Sequence, residues 1–186
     1  MKRTFDLLLA VPLALFLAVP LLLIAALVRS TSWGPAFYWS SRVGRNNKLF
    51  LMPKFRSMKE NTPTVATHLL SNPETYLTPI GSFLRRSSLD ELPQLWNILK
   101  GEMSFVGPRP ALFNQYDLIE LRTTNKVIDL LPGLTGWAQV NGRDELPIAV
   151  KVALDTEYLH RKSFKFDLYI LWLTALKVVG SDGVSH

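Results

Sequence analysis

The chain has 186 residues, 48% of them hydrophobic, and sets 21 Lys and Arg against 15 Asp and Glu for a net charge of +6. That length holds one domain of ordinary size and little besides. The lack of cysteine excludes disulfides, thiolate metal sites and a cysteine nucleophile; three scattered histidines (His68, His160, His186) argue against zinc, and the positive charge suits an anionic partner such as a phosphorylated metabolite, nucleic acid or lipid headgroups.

From Leu7 to Val28 no residue is charged, and at about 1.5 Å per residue the run can cross a hydrocarbon core of about 30 Å. It is too long for a cleaved signal peptide, and no small-residue cleavage site follows it. Residues 1–32 therefore read as a membrane-inserted helix and 33–186 as a membrane-associated soluble unit. Pro12 and Pro20 each remove a backbone donor and crowd the carbonyl four residues earlier, so a bend near Pro20 can return the chain to the face it entered. Lys2 and Arg3 before the run and Arg29 after it give the positive-inside rule no asymmetry. A spanning helix also fits these residues; the re-entrant form is the preferred reading.

Phe37-Tyr38-Trp39 suits headgroup depth or a short buried strand. The basic turn from Arg42 to Lys48, between two apolar segments, predicts a β-hairpin in which Lys54 and Arg56 share one face and Phe55 takes the other. Such charges serve either surface solvation or phosphate contacts. Glu60 to Thr78 reads as a variable loop with one helical turn around Ala66 to Leu70.

The centre of the chain is Arg85-Arg86-Ser87-Ser88-Leu89-Asp90-Glu91-Leu92-Pro93-Gln94 and the apolar helix that Gly101 ends. Ser88 and Glu91 have capping-box spacing, and Pro93 suits the first turn of a helix beginning slightly later. Asp90 and Glu91 would then lie at the positive end of the helix dipole, which favours an ionised carboxylate able to attack phosphorus or hold a metal ion. Sequence neighbours diverge on a helix, so the two divide the labour. Simple capping and solvation is the alternative for both.

Downstream, Arg109 stands between Pro108 and Pro110, which stiffen the loop around a guanidinium suited to a phosphate or a nucleobase carbonyl. Leu112 to Leu131 has apolar residues at helical spacing, stopped by Pro132-Gly133, and predicts one scaffold helix. Leu134 to Arg143 predicts a glycine-punctuated loop and short strand, and neither a phosphate-loop nor a dinucleotide fingerprint occurs. Ala149 to His160 reads as a helix with Asp155 and Tyr158 near its end. Phe164 to Val179 reads as a helix on the membrane surface, with a core helix as the alternative.

Taken together and in order, Lys54-Phe55-Arg56-Ser57-Met58, Ser88 to Gln94, Lys100 to Ser104, Gly107-Pro108-Arg109-Pro110, Pro132 to Gly136 and Gln139 to Arg143 closely resemble the bacterial sugar transferases called monotopic phosphoglycosyl transferases. The resemblance covers nearly the whole chain, to Ser185, and is to the small single-domain form. It implies an α+β fold, mainly α, with a re-entrant N-terminal helix, interfacial amphipathic helices and a small cytoplasmic catalytic domain with a short hairpin, held at the bacterial inner membrane.

The resemblance further implies transfer of a sugar-1-phosphate from a UDP-sugar to a polyprenyl phosphate, with release of UMP, Mg2+ as cofactor and a covalent intermediate. Asp90 would be the nucleophile and Glu91 a proton handler or, with Asp90, a metal ligand. Lys54, Arg56, Arg85, Arg86, Arg109, Pro110, Gln139 and Arg143 would line the substrate, Arg109 near the uridine. Membrane lipids are implied as partners, nucleic acid is not, and a homodimer stays open. The family often bends its re-entrant helix at Ser-Pro; Val19-Pro20 stands here instead and offers no hydroxyl to the freed carbonyls. The alternatives are a glycosyltransferase releasing UDP and a non-catalytic membrane assembly protein.

Overall fold

The computed structural model describes residues 2–63, 65, 72–142 and 146–179. Its first element, α1 (Lys2–Thr31), is a helix that runs through both Pro12 and Pro20. Each proline leaves one carbonyl without its donor four residues on, a defect that bends a helix without ending it. One narrow stripe of α1 packs on the rest of the chain: Ala10, Leu13 and Leu17 on the main core, then Leu21, Ile24 and Val28 on a second cluster with Phe55 and Leu84. The spacing of three and four residues is that of a single helix face. The opposite face is bare and apolar, with Leu15, Phe16 and Leu22 all more than two-thirds exposed.

Polar groups fasten α1 at both ends. Lys2 Nζ lies 2.6 Å from Asp167 Oδ2 and 3.0 Å from the Tyr158 hydroxyl. Arg3 donates to the carbonyls of Ile98 and Leu99, and Asp6, buried, accepts from the Ser104 hydroxyl and the Phe105 amide. Past the other end, the buried Arg56 guanidinium donates to the carbonyls of Ser32, Trp33 and Pro35.

Strands β1 (Phe37–Val43) and β2 (Leu49–Phe55) form the expected hairpin, paired antiparallel from Phe37↔Phe55 to Val43↔Leu49. Its turn places Asn46 and Asn47 in the left-handed region, which asparagine tolerates. Phe37, Tyr38 and Trp39 are all partly exposed, so the aromatic trio is not a buried strand. Next come α2 (Gly81–Arg86), a 3-10 helix Leu89–Gln94, α3 (Leu95–Lys100), β3 (Ser104–Val106) and β4 (Ala111–Leu112), which pairs with the outer side of β1.

The single helix expected over Leu112 to Leu131 is three pieces. Leu112 is taken by the pairing of β4 with Arg42, α4 covers only Tyr116–Thr124, and Lys126 at φ +58° turns the chain into a 3-10 helix Val127–Asp129. The apolar residues keep their helical spacing, but the outer ones are buried from a strand and a turn. After it β5 (Gly133–Thr135) pairs in parallel with β3, and Gly133 lies so close to the 107 backbone that a Cβ would sit 2.1 Å from the Gly107 nitrogen. Where a loop and short strand were expected to continue, Trp137–Asn141 is a short helix, α5, whose Trp137 ring packs 5.1 Å from Phe166 and donates to Glu157.

Helices α6 (Ile148–Arg161) and α7 (Phe164–Val179) close the fold. α7 is a core helix on one face, where Phe166 and Ile170 are buried, while Leu168, Trp172 and Leu176 on the other are exposed and apolar. The architecture is α+β and mainly α, with two small sheets between helices. The helical turn expected around Ala66 to Leu70 lies outside the described residues.

Candidate active site

Three elements bring charge to one place. β2 contributes Lys54, the 3-10 helix contributes Asp90 and Glu91, and the loop between β3 and β4 contributes Arg109. Glu91 Oε1 lies 2.7 Å from Lys54 Nζ and 2.8 Å from Arg109 Nη2, and Arg109 Nη1 stands 3.4 Å from Oε2. Asp90 Oδ2 is 4.0 Å from Lys54 Nζ, too long for a hydrogen bond. Lys54 thus sits between the carboxylates, closer to Glu91.

The capping box does not form. Ser88 adopts φ +55° with no side-chain cap, and the turn closes through the Glu91 amide and the Ser88 carbonyl at 3.2 Å. The Glu91 carboxylate, which the box would turn back to the Ser88 amide, goes to two cations instead. Pro93 has no amide to give, and the α-helix begins only at Leu95. The two carboxylates differ in setting: Asp90 is 6% exposed and stands 4.0 Å from Lys54, while Glu91 is held by both Lys54 and Arg109.

Burial pushes the Asp90 carboxyl up to about 6, against the pull of Lys54 and with the help of the Glu91 charge. For Asp90 burial therefore outweighs any helix-end effect, although the group is still largely ionised at neutral pH. Burial would raise Glu91 too, but Arg109 and Lys54 outweigh it and hold that carboxyl well below the usual range. One carboxylate is tied down as a fixed charge. The other is desolvated and only loosely paired, which suits a nucleophile.

The remaining expected residues divide. Arg85 is near enough to lower Asp90, and its Nε donates to Ser57 Oγ at 3.2 Å. Arg86 is exposed at the end of α2. Arg56 does not reach the carboxylates: its guanidinium turns to the 32–35 carbonyls and is engaged there in holding the end of α1. Pro110 is buried in the stiff loop, its carbonyl accepting from Arg42. Gln139 is on α5 with both amide atoms shut off from solvent and, among the described residues, without a hydrogen-bond partner. Arg143 lies outside the described residues.

A cavity of about 30 Å³ lies behind the loop, bounded by Val43, Asn47, Arg109, Arg122 and Val127. It has room for a water and not for a nucleotide. Sequence reasoning passed over Arg122, which shares a buried face of α4 with Leu118 four residues earlier. An arginine at a core-facing helical position was the legible sign.

The profile of a family described as bacterial sugar transferase matches residues 1–181. Exopolysaccharide production protein ExoY of Sinorhizobium fredii is 40% identical over 98% of this chain and 87% of its own. EpsL of Bacillus subtilis, an uncharacterized sugar transferase, is 40% identical over all of this chain and 91% of its own. A UDP-glucose:undecaprenyl-phosphate glucose-1-phosphate transferase of Escherichia coli is 42% identical over 95% of this chain but only 40% of its own length.

Proposed function

The chain belongs to the bacterial sugar transferase family, and from that premise we propose that it moves a sugar-1-phosphate from a UDP-sugar to a polyprenyl phosphate in two displacements at Asp90. In the first, an Asp90 oxygen bonds to the sugar-bearing phosphorus and the bond to the bridging oxygen breaks, releasing UMP. In the second, a phosphate oxygen of the polyprenyl phosphate bonds to the same phosphorus and the Asp90 carboxylate leaves. The observation that carries this reading is the split pair: a buried, loosely paired Asp90 beside a Glu91 fixed by two cations. Lys54, Arg109 and Arg85 offset the charge that gathers as two anions meet.

A divalent cation such as magnesium fits if substrate completes its shell. Among the described residues no three ligating side chains converge, but Asp90 and Glu91 supply carboxylate oxygen, and such ions take one or two carboxylates with substrate phosphates. Bound there, it would supply Lewis-acid charge at the diphosphate oxygens.

Purified protein in lipid, given polyprenyl phosphate, magnesium and a panel of UDP-sugars, should release UMP. Release of UDP instead would replace the reading with transfer of the sugar alone. Because the nucleophile must be ionised, kcat/KM should fall as pH drops, with a midpoint near 6 at limiting magnesium and a lower one at saturating metal. A flat profile from pH 5 to 8 would remove Asp90 as the titrating nucleophile.

From the same family reading we propose that α1 enters the membrane as a re-entrant helix, with the catalytic unit on the cytoplasmic face, where UDP-sugars are made. Support comes from the fastening of both ends of α1 to one folded body, through Lys2, Arg3 and Asp6 at one end and Arg56 at the other. A spanning helix would hold its ends apart by a hydrocarbon core of about 30 Å. The native chain has no cysteine, so Thr4→Cys and Lys59→Cys report cleanly. Both should resist an impermeant thiol reagent in intact cells and react once the cells are permeabilised; labelling at position 4 alone in intact cells would show a span.

A further inference from the structure

Three successive carbonyls of the loop that carries Arg109 are each held by a donor from a different place. The Gly133 amide reaches the Pro108 oxygen at 2.9 Å, Arg122 Nη1 reaches the Arg109 oxygen at 2.8 Å, and Arg42 Nη1 reaches the Pro110 oxygen at 3.1 Å. The prolines already fix φ at 108 and 110. What remains to be set is the direction in which Arg109 leaves the loop.

Arg122 has the deepest footing of the three donors. It is 7% exposed, and its Nε and Nη2 lie 3.0 and 2.6 Å from Oδ2 of Asp155, a residue of α6 that is 1% exposed. The fork is thereby occupied on two sides, and the third nitrogen is aimed at the Arg109 carbonyl. A buried ion pair is a poor source of stability, since desolvation offsets the attraction and apolar residues of like volume often do as well. Leu118 and Val152 already make the contact between α4 and α6 apolar around it. An apolar pair would lack one thing: a donor to the backbone of Arg109.

We propose that Asp155 and Arg122 are positioning residues for the transfer reaction: Asp155 orients the Arg122 fork, Arg122 fixes the backbone of Arg109, and Arg109 is thereby set against Glu91 beside Asp90. This rests on the reading of the site given above. Neither residue need touch substrate. The effect passes through Arg109, and displacing a charged group at a reacting centre by about 1 Å can cost about 10²-fold in rate.

Arg122→Lys keeps the charge next to Asp155 but loses the planar fork, so it cannot hold the carboxylate and the carbonyl in the same geometry. In lipid-embedded protein that melts near the wild-type temperature, kcat/KM for UMP release should fall about 10- to 100-fold, mostly in kcat. The deciding comparison is a cycle with Arg109→Lys. In that background Arg122→Lys should cost less than about twofold, because it has lost the residue it acts through. Equal losses in both backgrounds would mean that the pair only braces α4 against α6, and would overturn the proposal. Should Arg122→Lys fail to fold, Asp155→Asn takes its place in the same cycle, with Asp155→Glu expected to keep more activity than Asp155→Asn.

A second readout does not depend on turnover. With 15N-arginine labelling, the Arg109 Nε–H resonance, assigned by its loss in Arg109→Lys, should shift in Arg122→Lys. An unmoved resonance overturns the positioning role whatever the substrate. If the resonance shifts in Arg122→Lys while the wild-type protein releases no UMP, the result counts against the proposed reaction and leaves the positioning role standing.

Discussion

Asp90→Asn should lower UMP release by about 10⁴-fold or more, the scale seen when a covalent nucleophile is removed. An amide of the same shape keeps the 3-10 helix and its packing but has no anionic oxygen to form a bond to phosphorus. The same change should make the protein more stable at neutral pH. A carboxyl whose folded pKa is raised, here from 3.8 to about 6, adds its full stability only below the unfolded value and loses it as pH rises through the folded one. At pH 7 the buried charge therefore weighs against the fold. Removing it should gain on the order of 1 kcal/mol, or about 2–4 °C in melting temperature for a chain of this size. A dead variant that melts higher than wild type is the expected pair of results. Near-normal UMP release would remove Asp90 from the chemistry.

Glu91→Gln should cost about 10²- to 10³-fold, by a different route. Its carboxylate neutralises Lys54 and Arg109 together, and a neutral amide would leave two cations beside Asp90 with that single anion to share. Lys54 should close on Asp90, lower its pKa and blunt it as a nucleophile. The acid limb of the pH profile should then move below 6, opposite to a general loosening of the site. If Glu91 also holds the metal, half-activation should need roughly tenfold more magnesium. Unchanged activity together with an unchanged magnesium titration would show that Glu91 does neither.

The four residues that converge, Lys54, Asp90, Glu91 and Arg109, were all legible in the sequence, because each lies in a short segment with chemistry of its own. Their local geometry was less so. Capping-box spacing at Ser88 and Glu91 is a local rule, and it lost to partners 37 and 18 positions away in the chain. Alternation placed Arg56 beside Lys54, but it does not say which partner captures a long side chain, and the carbonyls past α1 took this one. The helical period over Leu112 to Leu131 was present and still misleading, since β1 captured Leu112 and Lys126 reversed the chain. What no window of sequence could hold was the link from Asp155 through Arg122 to the Arg109 carbonyl, which joins two helices to a loop.

The fastening of α1 also has an order in time. Asp167, the partner of Lys2, is made 165 positions after it. At about 5 to 20 residues per second, this 30-residue helix waits on the order of 10 s or more for the residue that ties its start to the rest. Arg3 and Asp6 meet their partners sooner, 96 and 98 positions on. Until then the helix must rest in lipid or on a targeting factor, because the residues that pack against it in the fold are made after it. A ribosome that stalls before α7 leaves that helix in the membrane with its first lysine unmatched, and the nascent chain a substrate for quality control.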